Sequence, residues 1–143
     1  MQPLLLNQAS KIADLALEKG RELQCKPLTV AVLDAGGHLV AFKREDGSGI
    51  LRPQIAQAKA WGALGMGHGG RALAERAATA PGFFAALASI SEGRIAPVPG
   101  GVLIRDADGH VIGAVGISGD MPDQDEACAV FAIGAVGLRA DGG

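Results

Sequence analysis

The side chains able to bind or transfer charge fall into a few short segments. Histidine occurs three times, at 38, 68 and 110. No two of them have the helical spacing of a ligand pair and no Cys lies beside them, so local spacing builds no zinc site and no metal centre is expected. His38 and His110 each open the second strand of a hairpin, where a turn-side imidazole faces water. His68 lies in the break Gly65-Met66-Gly67-His68-Gly69-Gly70 and is the best placed of the three for a pocket; it and Asp46 are the candidate proton-transfer groups. Arg44 ends an apolar strand and opens Arg44-Glu45-Asp46-Gly47, with Arg52 and Lys59 shortly after. A guanidinium beside a glycine loop suits a carboxylate-bearing ligand, which it can hold through two parallel hydrogen bonds; a solvated surface arginine is the alternative. Gly65-x-Gly67-x-x-Gly70 has the letters of a dinucleotide fingerprint, but a helix precedes it where a strand is required, so it reads as a helix break. Its consecutive N–H groups beside Arg71 leave an anion-binding nest open. Asp34 ends a buried strand, and its carboxylate reads as an Asx-type turn onto the Gly36-Gly37 backbone. No GxSxG elbow, HExxH helix or Walker sequence occurs.

The elements that carry these residues follow from periodicity. Ala9, Ile12, Ala13, Ala16, Gly20 and Leu23 recur at spacings of three and four, which predicts an amphipathic helix over 7–24, capped by Asn7 and closed by Pro27. Residues 28–34 are apolar on both faces and predict a central strand. Ala35-Gly36-Gly37 turns the chain into a second strand over 38–44. Helices are expected over 53–65, 71–78 and 82–89. Strands over 102–105 and 111–118 flank Asp106-Ala107-Asp108-Gly109, a hairpin turn signal. A last helix is expected over 123–138, with Asp123, Asp125 and Glu126 in its first turn, where the helix dipole favours negative charge, and Arg139 at the other end. Hairpins imply antiparallel pairing, so the fold class is α+β. No internal repeat and no domain boundary emerge; residues 1–143 read as one domain.

The 143-residue chain has 48% apolar and 20% charged residues, ordinary globular values, and 22 glycines. That glycine count is about twice the average usage of roughly 7%. Aromatics make up 3% and Tyr is absent, so packing must come from small and aliphatic side chains approaching closely. Net charge is −2 with no basic stripe, which argues against a nucleic-acid partner. No apolar run reaches the ~20 residues of a membrane span, and no signal-type segment opens the chain; a cytoplasmic location is expected. Cys25 and Cys128 have no CxxC partner and read as reduced, buried thiols, although pairing is open. The last helix is apolar on more than one stripe, with Ala127, Cys128, Val130, Phe131, Ile133 and Val136, and this predicts a homo-oligomer.

Four segments in order resemble the GlcG/HbpS-type family, which also includes the C-terminal domain of PduO-type proteins. They are Val30-Ala-Val-Leu-Asp34-Ala-Gly36-Gly37-His38-Leu39; Arg44-Glu-Asp46-Gly47; Ile55-Ala56-Gln57-Ala58-Lys59-Ala60; and Pro99-Gly100-Gly101-Val102, continuing through Asp108-Gly109 and Ile112-Gly113-Ala114-Val115-Gly116-Ile117-Ser118-Gly119 to Asp125. The resemblance implies a profilin- or PAS-like antiparallel sheet of about five strands flanked by helices, and assembly into oligomers. It also implies haem or tetrapyrrole binding in a catabolic gene context. It places Arg44, Asp46, Lys59, Gly100 and Gly101 around a pocket; His68 and Arg71 join them on local chemistry. Haem iron is usually held by His, Cys, Met or Tyr, and no histidine here matches a family ligand.

Three functions remain open. The first is a small-molecule-binding domain, for haem or a tetrapyrrole. The second is an enzyme (lyase, isomerase or hydrolase) acting on a small carboxylate or ring-derived metabolite. The third is a non-catalytic oligomeric accessory protein. In each of the first two the ligand is expected to be anionic.

Overall fold

A strand apolar on both faces has to lie inside a sheet, and Thr29–Asp34 does. The structure, a computed structural model, describes residues 2–143. In chain order the elements are α1 (Leu6–Glu22), β1 (Thr29–Asp34), β2 (Leu39–Arg44), α2 (Arg52–Met66), α3 (Gly70–Thr79), α4 (Pro81–Ile90), β3 (Gly101–Arg105), β4 (Val111–Ser118), α5 (Pro122–Ala135) and β5 (Arg139–Asp141). They form an α+β fold around one five-stranded sheet of order β2-β1-β4-β3-β5. Every pairing is antiparallel, including the two expected hairpins, β1 with β2 and β3 with β4.

The sheet is covered on both faces. Val30, Val32, Val102, Ile104, Val115 and Ile117 pack under α1 and α5, against Ile12, Ala13, Ala16, Cys128, Ala132 and Ile133. The alternate residues Leu33, Leu103 and Ala114 meet Ala60 and Ala63 of α2 on the other face. Glycine sets how close α2 comes. Gly101 and Gly116 are register partners on β3 and β4. A Cβ on Gly116 would lie 1.8 Å from the Ala56 carbonyl oxygen, and one on Gly101 2.4 Å from the Lys59 carbonyl oxygen. The α2 backbone therefore rests directly on the sheet, and this accounts for part of the glycine excess.

The two hairpin turns are copies of one device. Each reads Asp-Ala-x-Gly-His, at 34–38 and 106–110. In the first, Asp34 Oδ1 accepts the N–H groups of Gly36 and His38 at 3.0 Å. In the second, Asp106 Oδ1 accepts those of Asp108 and His110 at 3.0 and 2.9 Å. Gly37 and Gly109 sit at φ +81° and +86°, left-handed positions that glycine occupies without a Cβ penalty. Asp34 thus takes the Asx-turn role expected of it.

Three boundaries differ from expectation. Asn7 is not the N-cap of α1: the helix starts at Leu6, and the Gln8 side chain accepts the Leu5 N–H. The last helix stops at Ala135 rather than 138. Gly137 takes φ +81°, and the Leu138 N–H reaches back to the Ile133 carbonyl, the six-to-one bond of a glycine-terminated helix end. The freed chain then supplies β5, so Arg139 belongs to an edge strand instead of a helix terminus.

Candidate ligand-binding site

Helix α2 crosses β1, β4 and β3 but leaves the α2-facing side of edge strand β2 uncovered. A cleft of about 320 Å³ opens there. Its apolar surface comes from Leu33 and Leu39 on the first hairpin and from Ala58 and Trp61 on α2. Gln54 and Gln57 add amides, and Glu92, Gly93 and Arg94 close one end. Trp61 is the single tryptophan of the chain. Gly37 permits its position, since a Cβ there would stand 3.1 Å from the indole nitrogen.

Arg94 reaches this cleft through the turn that ends α4. Glu92 and Gly93 take φ +57° and +78°, an unusual conformation for the glutamate. The Gly93 N–H bonds to the Ala88 carbonyl at 2.8 Å, and the chain doubles back. The Arg94 guanidinium then stacks over Trp61 at 4.1 Å from the ring centroid. Its Nε donates to the Ser91 carbonyl at 2.9 Å.

The residues singled out from the sequence lie in three other neighbourhoods. Lys59 is interior at 3% exposure. Its Nζ donates to the Ile117 carbonyl at 2.9 Å and to Asp125 Oδ2 at 3.1 Å, and Asp125 is itself 1% exposed. Burial pushes the Lys59 pKa down and that of Asp125 up, while the charge of each partner opposes both shifts. Gly100 and Gly101 pack against Lys59 of this buried pair. Gly100 sits at φ +113°, and a Cβ on it would meet Lys59 Nζ at 2.7 Å and the Ile117 carbonyl at 2.9 Å. The pocket expected between this loop, Lys59 and Arg44 is therefore not formed, because the lysine head turns inward to a carboxylate that sequence reading assigned to the helix dipole.

Arg44 and Asp46 do come together. They line a shallower depression of about 430 Å³ with Arg21, Pro27 and Glu45. Arg44 Nη1 donates to the Ser48 carbonyl at 2.7 Å, and Glu45 Oε1 accepts the Leu28 N–H at 2.7 Å. His68 and Arg71 occupy the α2–α3 junction. His68 is exposed. The glycines there are packing points: a Cβ on Gly70 would stand 2.0 Å from the Val98 carbonyl oxygen. The Arg71 N–H donates to the Gly142 carbonyl, and its guanidinium binds Glu126 and Asp123, which push its pKa up. The donors of Arg71 are thus spent inside the protein. Carboxylate and imidazole atoms of Asp106, Asp108 and His110 lie within 4.8 Å of one another on the second turn. There Asp106 is already committed to backbone N–H groups.

Sequence reading missed Trp61 and Arg94 as a pair. One signal for them was a lone tryptophan in an alanine-rich helix that needed a larger neighbour. The other was Ser91-Glu92-Gly93-Arg94, a glycine-terminated helix end carrying a cation.

A family model described as "Haem degrading protein HbpS-like" matches residues 4–134. The corrinoid adenosyltransferase PduO of Salmonella typhimurium is 27% identical over 135 residues, 94% of this chain. The chain spans only 39% of the length of that relative. A crystal structure of a PduOC:heme complex matches with TM-score 0.85 and 28% identity, covering 96% of this chain and 97% of that one. A crystal structure of HbpS matches with TM-score 0.80 and 30% identity, covering 95% and 91%.

Proposed function

The chain belongs to the family of HbpS-like haem degrading proteins, and on that premise we propose that it binds a flat, largely apolar and anionic small molecule, haem or a related tetrapyrrole, in the cleft between α2 and β2. The observation that carries this reading is the cleft itself: an apolar surface of Leu33, Leu39, Ala58 and Trp61 with a cation, Arg94, at one end. Its size is near the lower end of the roughly 300–1,000 Å³ of typical small-molecule sites. It takes one edge of a macrocycle, with the rest in solvent or against another subunit. The donor set fits the apolar ring and an acidic substituent. It does not fit the iron, because the cleft lining holds no His, Cys, Met or Tyr. No chemistry at iron is assigned to these residues. Arg44 and Asp46 remain in the proposal as a second anion-facing patch.

Two further points belong to this reading. Val130 and Phe131 on α5 are 41% and 43% exposed, on the side away from the sheet, and a second copy of the chain would cover them. Light scattering at micromolar concentration then gives a homo-oligomer, and a stable monomer refutes that point. Among the described residues no helix is long and apolar enough to cross a membrane. The two buried, unpaired thiols Cys25 and Cys128 suit a reducing, cytoplasmic compartment.

The binding site is tested by titrating haem into the protein and reading the Soret band. Leu39 is half exposed, so Leu39→Asp leaves the fold intact while placing a charge in the cleft. The wild type shifts the Soret band with a saturable isotherm, and the variant does not. Equal binding by both places the ligand elsewhere.

A further inference from the structure

Resting on that reading of the cleft, we propose that Arg94 is its specificity-determining residue and that the site selects planar ligands that carry a carboxylate at their edge over neutral analogues. Arg21 pairs with Glu45, Arg71 with Glu126 and Arg105 with Asp141. Arg94 has no ion-pair partner among the described residues, although Glu92 belongs to the same end of the cleft. Only its Nε is used, on the Ser91 carbonyl. The two terminal nitrogens form a fork with no acceptor among the described residues, the geometry that takes a carboxylate through two parallel hydrogen bonds.

The fork is held in place before any ligand arrives. The Arg94 N–H and Nε both bond to the Ser91 carbonyl, at 3.2 and 2.9 Å, and Ser91 is buried. The guanidinium is stacked on Trp61, and the left-handed pair Glu92-Gly93 aims the turn. Little side-chain freedom is left to lose on binding, which favours affinity. Because Arg94 covers a face of the indole, the ligand ring lies on Leu33, Leu39 and Ala58 with its carboxylate level with the guanidinium. The site thereby distinguishes a planar carboxylate from its neutral amide.

The test is calorimetric titration of 2-naphthoate and 2-naphthamide into wild type, Arg94→Gln and Arg94→Lys. Arg94 is exposed, so the variants fold, and unchanged Tm values confirm it. Naphthoate binds the wild type at least about tenfold more tightly than the amide. Arg94→Gln loses the preference over the amide, and Arg94→Lys, with charge but no fork, restores only part of it. Equal affinity of acid and amide for the wild type, an unchanged preference in Arg94→Gln, or no binding of naphthoate at all overturns the proposal. Haem and its dimethyl ester separate the two levels of the argument. Equal, saturable binding of both leaves the cleft reading standing and removes the role of Arg94. Failure of haem to bind, with the naphthoate preference intact, removes the tetrapyrrole and keeps the carboxylate site.

Discussion

Replacing Lys59 by Met keeps the length of the side chain and removes its charge. If Lys59 holds the fold together and takes no part in binding, the loss falls on stability alone. The Asp125 carboxylate would be left 1% exposed, keeping the Asp120 N–H at 3.0 Å and losing its cation. The Ile117 carbonyl would lose a donor as well. Breaking a buried pair from one side costs about 3–5 kcal/mol. The retained N–H bond puts Lys59→Met near the lower figure, a large share of the roughly 5–15 kcal/mol that holds a domain folded. Removing both charges, in Lys59→Met/Asp125→Leu, takes away the stranded carboxylate and recovers most of the loss. The residual cost is about 1 kcal/mol for the Asp120 N–H bond. Urea unfolding measures both, with m unchanged if the folded state is otherwise the same. Ligand affinity at the α2–β2 cleft stays at the wild-type value in the single variant. A cost below about 1 kcal/mol for Lys59→Met, a double variant less stable than the single one, or a folded single variant with weakened ligand binding would each refute the reasoning.

Two other perturbations probe the scaffold. Gly116→Ala pushes a methyl into the Ala56 carbonyl and costs about 1–3 kcal/mol or more by lifting α2 from the sheet. Gly134→Ala, on an open stretch of α5 with nothing within 4 Å of the new Cβ, stabilises by about 0.4–1 kcal/mol; thermal melts of the pair show opposite signs. The turn aspartates set acid stability. Burial alone would raise the Asp34 and Asp106 pKa values, but backbone N–H groups and the neighbouring histidine outweigh it and leave both below the usual 3.8. A carboxylate with a lowered folded-state value binds fewer protons folded than unfolded. Its contribution is therefore complete above about 3.8 and fades as pH falls through the lowered value. Asp34→Asn/Asp106→Asn accordingly narrows the stability difference between pH 6 and pH 3 in urea titrations; an unchanged difference rejects this account.

The fold was legible because its signals are local. The unbroken apolar run at 28–34 could only be central, and the two turn sequences dictated hairpins. What escaped was cooperative over distance. Strand β5 has three residues and exists because β3 offers an edge, so no periodicity announces it. The candidate site was less legible for the same reason. Lys59 and Asp125 are 66 residues apart and read singly as a pocket cation and a dipole-favoured acid. Their mutual burial is visible only once α2 and α5 are placed on opposite faces of β4. Gly100 and Gly101 looked like room for a ligand, whereas the space is filled by the lysine. Trp61 and Arg94 needed the converse step, a turn through left-handed backbone that brings a distant cation onto the one indole. The residue types of a buried ion pair and of a ligand site are the same; burial decides between them.

Because Trp61 is the single tryptophan, its indole N–H gives one resolved signal in a ¹H–¹⁵N correlation spectrum. Titration with ferric haem, whose unpaired electrons broaden nearby protons, tests the site directly. The account predicts that the Trp61 indole signal and the amides of Gly37, Leu39, Gly93 and Arg94 broaden first and together, while those of Lys59, Gly100 and Gly101 lag. An indole signal that stays sharp while the amides of Arg44–Gly47 disappear would contradict it and move the ligand to the opposite end of β2.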